Sequence, residues 1–68
     1  MRQAPNALTV REQQIAESVA RGLSNKEIGH EYGISHETVK RHLASIYSKL
    51  GLRGRVALAI HIVRSRAA

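Results

Sequence analysis

The polar and cationic side chains that could bind another molecule are concentrated in the stretch from Ser35 to Leu50, SHETVKRHLASIYSKL. Four apolar residues in it recur at spacings of four, three and four, and at about 100° per residue they form one stripe of a helix: Val39, Leu43, Ile46 and Leu50. The same rotation gathers a short polar surface on the far side: Glu37, Lys40, Arg41, Ala44 and Ser48. Cations with so little bulk around them can reach phosphates and base edges, so this surface could fit the major groove of duplex DNA.

Charge is unevenly distributed along the chain, whose net charge is +6. Residues 1–34 contain four basic and four acidic side chains, whereas residues 35–68 contain seven basic side chains and one acid, Glu37. The positive excess therefore falls on the predicted helix and on the residues after it, a distribution suited to phosphate. A solvated basic surface without a ligand is the alternative that charge alone leaves open.

Length and composition narrow the class of protein. Sixty-eight residues allow one domain with a small core. The absence of cysteine excludes disulfides and thiolate metal sites. No apolar run approaches the roughly 20 residues that span a bilayer, and the N-terminus lacks a secretion signal. We therefore expect a soluble cytoplasmic protein with no membrane partner.

Metal binding and catalysis find little support in the residue pattern. His36 and His42 are six residues apart and would lie on different sides of a helix, and His30 and His61 have no partner at ligand spacing. We predict neither a metal nor a cofactor. Paired carboxylates in a pocket, a Ser/His/Asp arrangement and a glycine-rich phosphate loop are also missing, so we predict no catalytic residue and no enzyme.

Capping signals predict two helices before the stretch from Ser35 to Leu50. Thr9 with Glu12, and Ser24 with Glu27, each have the spacing of a capping box, in which two side chains satisfy backbone N–H groups at a helix start. The buried side of the first of these helices is predicted to comprise Ile15, Ala16, Val19 and Ala20.

Glycines predict where helices end and where backbones approach. Gly33 and Gly51 are expected to end the second and third helices at positive φ. Gly29, inside the second helix, costs about 1 kcal/mol relative to alanine, which suggests that another helix crosses closely there. Ser35 then caps the third helix over about 36–50. Two helices joined by a short glycine-containing turn are typical of a helix-turn-helix, within an all-α fold.

A fourth helix is predicted over about 55–64, with Gly54 as its N-cap. Its apolar residues cover a wider arc than one packing surface needs. We expect an inward stripe of Val56, Ile60 and Val63, and a separate dimer interface of Leu58, Ala59 and Ile62. Packing of that second face against the N-terminal lead-in or against another domain is the alternative.

Five segments carry a resemblance to a known family: LTVRE at 8–12, GLSNKEI at 22–28, GIS at 33–35, TVKRHL at 38–43 and KLGL at 49–52. In order and spacing they resemble the LuxR-type helix-turn-helix domain, also called the GerE domain. In that family it is the DNA-binding output module of quorum-sensing regulators and of NarL/FixJ-type response regulators. The resemblance implies a four-helix all-α domain, here at residues 8–66 after a flexible lead-in or linker remnant at residues 1–7. Its third helix would enter the major groove and its fourth would dimerise.

The resemblance also implies which residues contact DNA. The positions that touch bases or nearby phosphates are matched by Lys40, Arg41 and Ala44. Those that bind the DNA backbone from the start of helix two are matched by Ser24, Asn25 and Lys26. Flanking phosphates could be reached by Thr38, His42 and Lys49. Ala44 replaces a longer polar residue and would contact a thymine methyl group. Glu37 either favours the helix dipole or accepts a hydrogen bond from cytosine N4.

We therefore predict a transcription regulator that binds double-stranded DNA sequence-specifically as a homodimer. The alternative is a protein–protein module that docks on RNA polymerase or a partner regulator and binds DNA weakly. An RNA-binding helical domain ranks lower, because exposed aromatic side chains for base stacking are lacking.

Overall fold

The computed structural model describes residues 7–67, and within them the chain forms four α-helices and no strand. The helices are α1 (Val10–Ala20), α2 (Asn25–Tyr32), α3 (His36–Leu50) and α4 (Arg55–Ala67). The all-α prediction is confirmed, and α4 continues past its predicted end at residue 64. Most of the predicted lead-in, residues 1–6, lies outside the described residues. None of the four helices has both the length and the apolar content needed to cross a membrane.

Both predicted capping boxes are present. The Thr9 hydroxyl accepts a hydrogen bond from the Glu12 N–H, and the Glu12 carboxylate accepts one from the Thr9 N–H at 2.9 Å. At the start of α2 the Ser24 N–H donates to the Glu27 carboxylate at 2.7 Å, and the Ser24 hydroxyl accepts from the Glu27 N–H. These bonds satisfy backbone donors that a helix start leaves free, so local sequence alone determines where α1 and α2 begin.

The turn between α2 and α3 depends on two glycines. Gly33 has φ +67°, the left-handed region that glycine adopts at little cost, as predicted. A Cβ on Gly29 would lie 2.6 Å from the carbonyl oxygen of Ile34. The close approach expected at Gly29 is therefore real, but the expected crossing helix is wrong, because the turn itself folds back over Gly29. Ser35 then caps α3, as its hydroxyl accepts from the Thr38 N–H.

One apolar core joins all four helices. Its buried members are Ile15, Ala16 and Val19 of α1, Ile28 of α2, Val39, Leu43 and Ile46 of α3, and Leu58 and Ile62 of α4. The stripe predicted on α3 is confirmed, with Leu50 half-buried at its end. Tyr32 and Tyr47 also pack against this core.

The faces predicted for α4 are wrong. Val56, Ile60 and Val63 were expected inside but are 73%, 48% and 51% exposed, whereas Leu58 and Ile62 are 0% and 4% exposed. Both stripes are apolar, so periodicity gives their separation around the helix but not which of them faces α1. Because Leu58 and Ile62 belong to the core, they cannot also form the predicted dimer interface. Ala59, the third predicted interface residue, is half-buried.

A buried carboxylate fastens α3 to the start of α1. The Glu12 side chain is 6% exposed and accepts hydrogen bonds from the Lys49 ammonium and the Ser45 hydroxyl, each at 2.7 Å. Burial raises the pKa of Glu12, but the bonds from Lys49, the Thr9 N–H and Ser45, together with the Lys49 charge, lower it to about 2. Glu12 therefore stays ionised and holds α3 in a fixed rotation about its axis.

Candidate nucleic-acid interface

The outer face of α3 follows from the burial of its inner stripe. With Val39, Leu43 and Ile46 inside, the predicted polar surface lies outside, and all of its members are exposed: Glu37, Lys40, Arg41, Ala44 and Ser48. Neither Lys40 nor Arg41 hydrogen-bonds or pairs with another residue of the range 7–67. Their full charge is thus available to an external anion.

In the first turn of α3, His36 and Glu37 are close to each other. His36 Nε2 lies 3.3 Å from Glu37 Oε1, and both side chains are more than half exposed. Glu37 lies where the helix dipole favours an acid, which agrees with the first of its two interpretations and does not test the second. Thr38 and His42 are half-buried along the edge of the exposed face. No group of three or more His, Cys, Asp or Glu side chains in the described part of the chain could hold a metal ion.

The start of α2 combines a capped helix N-terminus with polar side chains. Ser24 is exposed although its hydroxyl is used in the capping box, and Lys26 is exposed and unpaired among the described residues. Lys26 of α2 and His36 of α3 line one open groove, together with the acid Glu27. Backbone N–H groups at a helix start attract anions, so this edge suits a phosphate group.

Lys49 is placed differently from what the resemblance implied. Its ammonium is bound to Glu12 and only 26% of its side chain is exposed. A phosphate contact would have to compete with a buried carboxylate that is 2.7 Å away. The prediction that Lys49 reaches a flanking phosphate is not supported by this geometry, because its charge is already neutralised within the fold.

Acidic side chains are largely neutralised inside the domain, which concentrates the free positive charge. Three ion pairs link helices: Glu12–Lys49, Glu17–Arg66 and Arg21–Glu31. Across residues 7–67, the cations outside those pairs and exposed to solvent are Lys26, Lys40, Arg41, Arg53 and Arg64. Three of these five lie on α2 and α3, at the two elements that a helix-turn-helix presents to DNA.

Sequence reasoning missed Arg55. Its guanidinium donates from Nη1 to Asn25 Oδ1 at 2.7 Å and from Nη2 to the Leu23 carbonyl at 2.6 Å. These bonds tie the first residue of α4 to the start of α2. One signal was available, since a cation at a helix N-terminus opposes the helix dipole and so suggests a partner elsewhere in the fold.

Comparison with known proteins identifies the family. Residues 6–62 match the family model for bacterial regulatory proteins of the luxR family. The probable transcriptional regulatory protein SgaR of Hyphomicrobium methylovorum is 41% identical over 61 residues, which are 88% of this chain and 29% of SgaR. The nitrate/nitrite response regulator protein NarP of Escherichia coli K12 is 41% identical over 63 residues, 93% of this chain and 29% of NarP.

The transcriptional regulatory protein UhpA of Escherichia coli K12 is also similar, with 48% identity over 52 residues, 76% of this chain and 26% of UhpA. The chain therefore spans less than a third of the length of these three relatives. Since the family model covers most of the chain, the resemblance drawn from its motifs is confirmed. The chain belongs to the luxR family of bacterial regulatory proteins, and it is a helix-turn-helix domain of the DNA-binding type that transcription regulators carry.

Proposed function

We propose that this domain binds duplex DNA sequence-specifically, with α3 in the major groove. The observation that carries the proposal is the outer face of α3, where Lys40 and Arg41 are exposed and unpaired within the described residues, opposite the buried Val39, Leu43 and Ile46. A helix with one buried apolar side and one small, cationic side can enter the groove without losing its support from the core. A regulator that acts on bacterial DNA works in the cytoplasm.

Different residues serve sequence choice and affinity. Lys40 and Arg41 donate hydrogen bonds to base edges. Ala44, which follows them on α3, packs on a thymine methyl group. Phosphates are bound by the start of α2 and by the edge of α3, through Ser24, Asn25, Lys26, Thr38 and His42. Phosphate contacts set the position of the domain on DNA, and base contacts select the sequence.

Dimerisation belongs to the exposed stripe of α4. Val56, Ile60 and Val63 place aliphatic surface in water, and Ala59, Ile60, Val63 and Arg64 line a shallow groove there. The same stripe on a second copy is the simplest partner, because a two-fold interface is self-complementary. Two α3 helices related in this way would meet half-sites about 34–36 Å apart on DNA.

Selection from a pool of random duplexes tests the proposal. The folded domain should enrich a common motif, and the double variant Lys40→Ala/Arg41→Ala should lose the enrichment while it melts at the same temperature. Arg53→Ala is the matched control, since it removes an exposed cation that lies outside α3. Log affinity should fall with log salt by about 0.9 per phosphate neutralised. No enrichment and a near-zero salt slope would instead favour docking on a protein partner.

A further inference from the structure

Arg55 connects two parts of the domain that have separate roles in the proposed function. It is the first residue of α4, which carries the exposed apolar stripe, and its guanidinium reaches the start of α2. Its Nη1 donates to Asn25 Oδ1 at 2.7 Å, and its Nη2 donates to the Leu23 carbonyl at 2.6 Å. A planar guanidinium can bridge two acceptors in this way, whereas a lysine ammonium cannot reproduce the fork.

The bond to Arg55 gives the Asn25 amide a fixed orientation. Its oxygen accepts from the guanidinium, so its Nδ2 amino group must point the other way, and this group has no partner among residues 7–67. An amide offers both a donor and an acceptor, and a phosphate can only accept. Arg55 therefore occupies the end of Asn25 that a phosphate would not bind and leaves free the end that it would.

A fixed side chain also binds with a smaller entropy loss than a mobile one. Ordering a free side chain on binding costs conformational entropy, and a side chain already held by its neighbours does not incur that cost again. Asn25 is half-buried and lies in the first turn of α2, beside the exposed Lys26. The Asn25 side chain is thus ordered before DNA arrives, and its order depends on a residue of α4.

We propose that Arg55 is a positioning residue for DNA binding, acting through Asn25: it orients the amide so that its N–H donors face a DNA phosphate. The inference rests on the proposed function and adds a residue that does not itself need to contact DNA. It also assigns α4 a second task, since the same helix that exposes the apolar stripe shapes the phosphate contact of α2.

A double-mutant cycle on duplex affinity tests this, measured on the selected motif well below the melting temperature. Arg55→Lys keeps the charge but loses the fork, and we expect affinity to fall about tenfold, the effect of one hydrogen bond to a charged group. Asn25→Ala should produce a similar fall, and the double variant no further one. The salt slope and the selected motif should stay unchanged, because no charge and no base contact is lost.

Arg53→Lys is the matched control, because Arg53 is exposed and makes no side-chain bond among the described residues. Full affinity in Arg55→Lys would overturn the proposal, since charge alone would then suffice. Additive losses in the double variant would also overturn it, since the two residues would act separately. A purely structural role would lower the melting temperature without coupling the two positions in DNA affinity.

Should Arg55→Lys unfold in the assay, Asn25→Asp still tests the phosphate contact through which Arg55 is proposed to act. It keeps an acceptor for Arg55, so the fold is retained, but replaces the N–H donors with a carboxylate that repels phosphate. Duplex affinity equal to that of the unmodified domain would overturn the proposal. If the unmodified domain shows no salt-dependent binding to any duplex, the proposed function itself fails, which is a distinct result.

Discussion

Helices α3 and α4 both bury apolar side chains against α1, yet they present different surfaces to solvent. The outside of α3 is polar and cationic, with Ala44 its smallest member, whereas the outside of α4 carries Val56, Ile60 and Val63. Water solvates the first surface well and the second poorly. The contrast separates two kinds of partner within one small domain: a polyanion suits α3, and another apolar surface suits α4.

The two helices are also fastened to the rest of the fold in different ways. Lys49 of α3 pairs with the buried Glu12, whereas Arg66 of α4 pairs with Glu17, and both members of that second pair are more than a third exposed. Exposed ion pairs contribute little, typically under about 1 kcal/mol. The orientation of α3 is therefore held by polar bonds as well as by packing, and that of α4 mainly by packing and by Arg55.

The largest expected effect separates the two faces of α4. Leu58→Ala should lower the free energy of unfolding by about 2–5 kcal/mol, because it removes a fully buried side chain and leaves a cavity. Ile60→Ala, on the exposed stripe, should change it by only about 0.5 kcal/mol. Urea unfolding at a concentration too low for self-association measures both values. A larger loss in Ile60→Ala than in Leu58→Ala would mean that the faces of α4 are exchanged.

The sequence predicts the faces of α3 better than those of α4, for a physical reason. Helix starts at Thr9, Ser24 and Ser35 depend on bonds between residues three apart, so local pattern suffices for them. The faces of α3 were predictable because only one of its sides is apolar. On α4 both sides are apolar, and the choice depends on α1 and on bonds to residues distant in sequence.

The candidate site shows the same division. Exposure of Lys40 and Arg41 follows from helical rotation away from one stripe, and it was predicted correctly. The pairing of Lys49 could not be predicted, because its partner Glu12 lies 37 residues earlier in the chain. The partner of Arg55 could not be predicted for the same reason, since Asn25 is 30 residues away. The charge pattern shows where cations lie along the chain, but not which acids and amides they bind in the fold.

The next prediction concerns the bond that holds α3. The pKa of Glu12 in the fold is about 2, below its ordinary 4.5, so its ionisation stabilises the folded state at pH values above 4.5. That contribution should be lost progressively as the pH falls from about 4.5 towards 2. Glu12→Gln should be less stable at neutral pH and should depend less on pH in that window, as followed by thermal melts.

Glu17→Gln is the matched control, because it breaks the exposed pair with Arg66 and leaves α3 alone. Its stability at neutral pH should change by under about 1 kcal/mol. A pH profile of Glu12→Gln that parallels the profile of the unmodified domain would show that the Glu12–Lys49 pair does not hold α3.

A smaller effect is expected on the outer face of α3. Lys40→Ala and Arg41→Ala should each reduce discrimination between the selected motif and a mutated one by about 1–3 kcal/mol, since each removes a base contact. Unfolding should be unchanged, because both side chains are exposed. Competition binding with paired duplexes measures the difference. Ser48→Ala, on the same face without a charge, is the control, and an unchanged preference in both lysine and arginine variants would contradict the assignment of α3.

The smallest effect per side chain falls on the exposed face of α4. Ile60→Ala should leave the monomer nearly as stable as before, yet weaken self-association, because each copy loses about 1 kcal/mol of apolar contact. Two copies meet at a two-fold interface, so the dimer dissociation constant should rise on the order of tenfold or more. Sedimentation measures this directly, and cooperative binding to paired half-sites should fall in parallel while binding to one half-site is kept. If Ile60→Ala dimerises as tightly as the unmodified domain, the exposed stripe is not the interface, and the aliphatic surface of α4 has another partner.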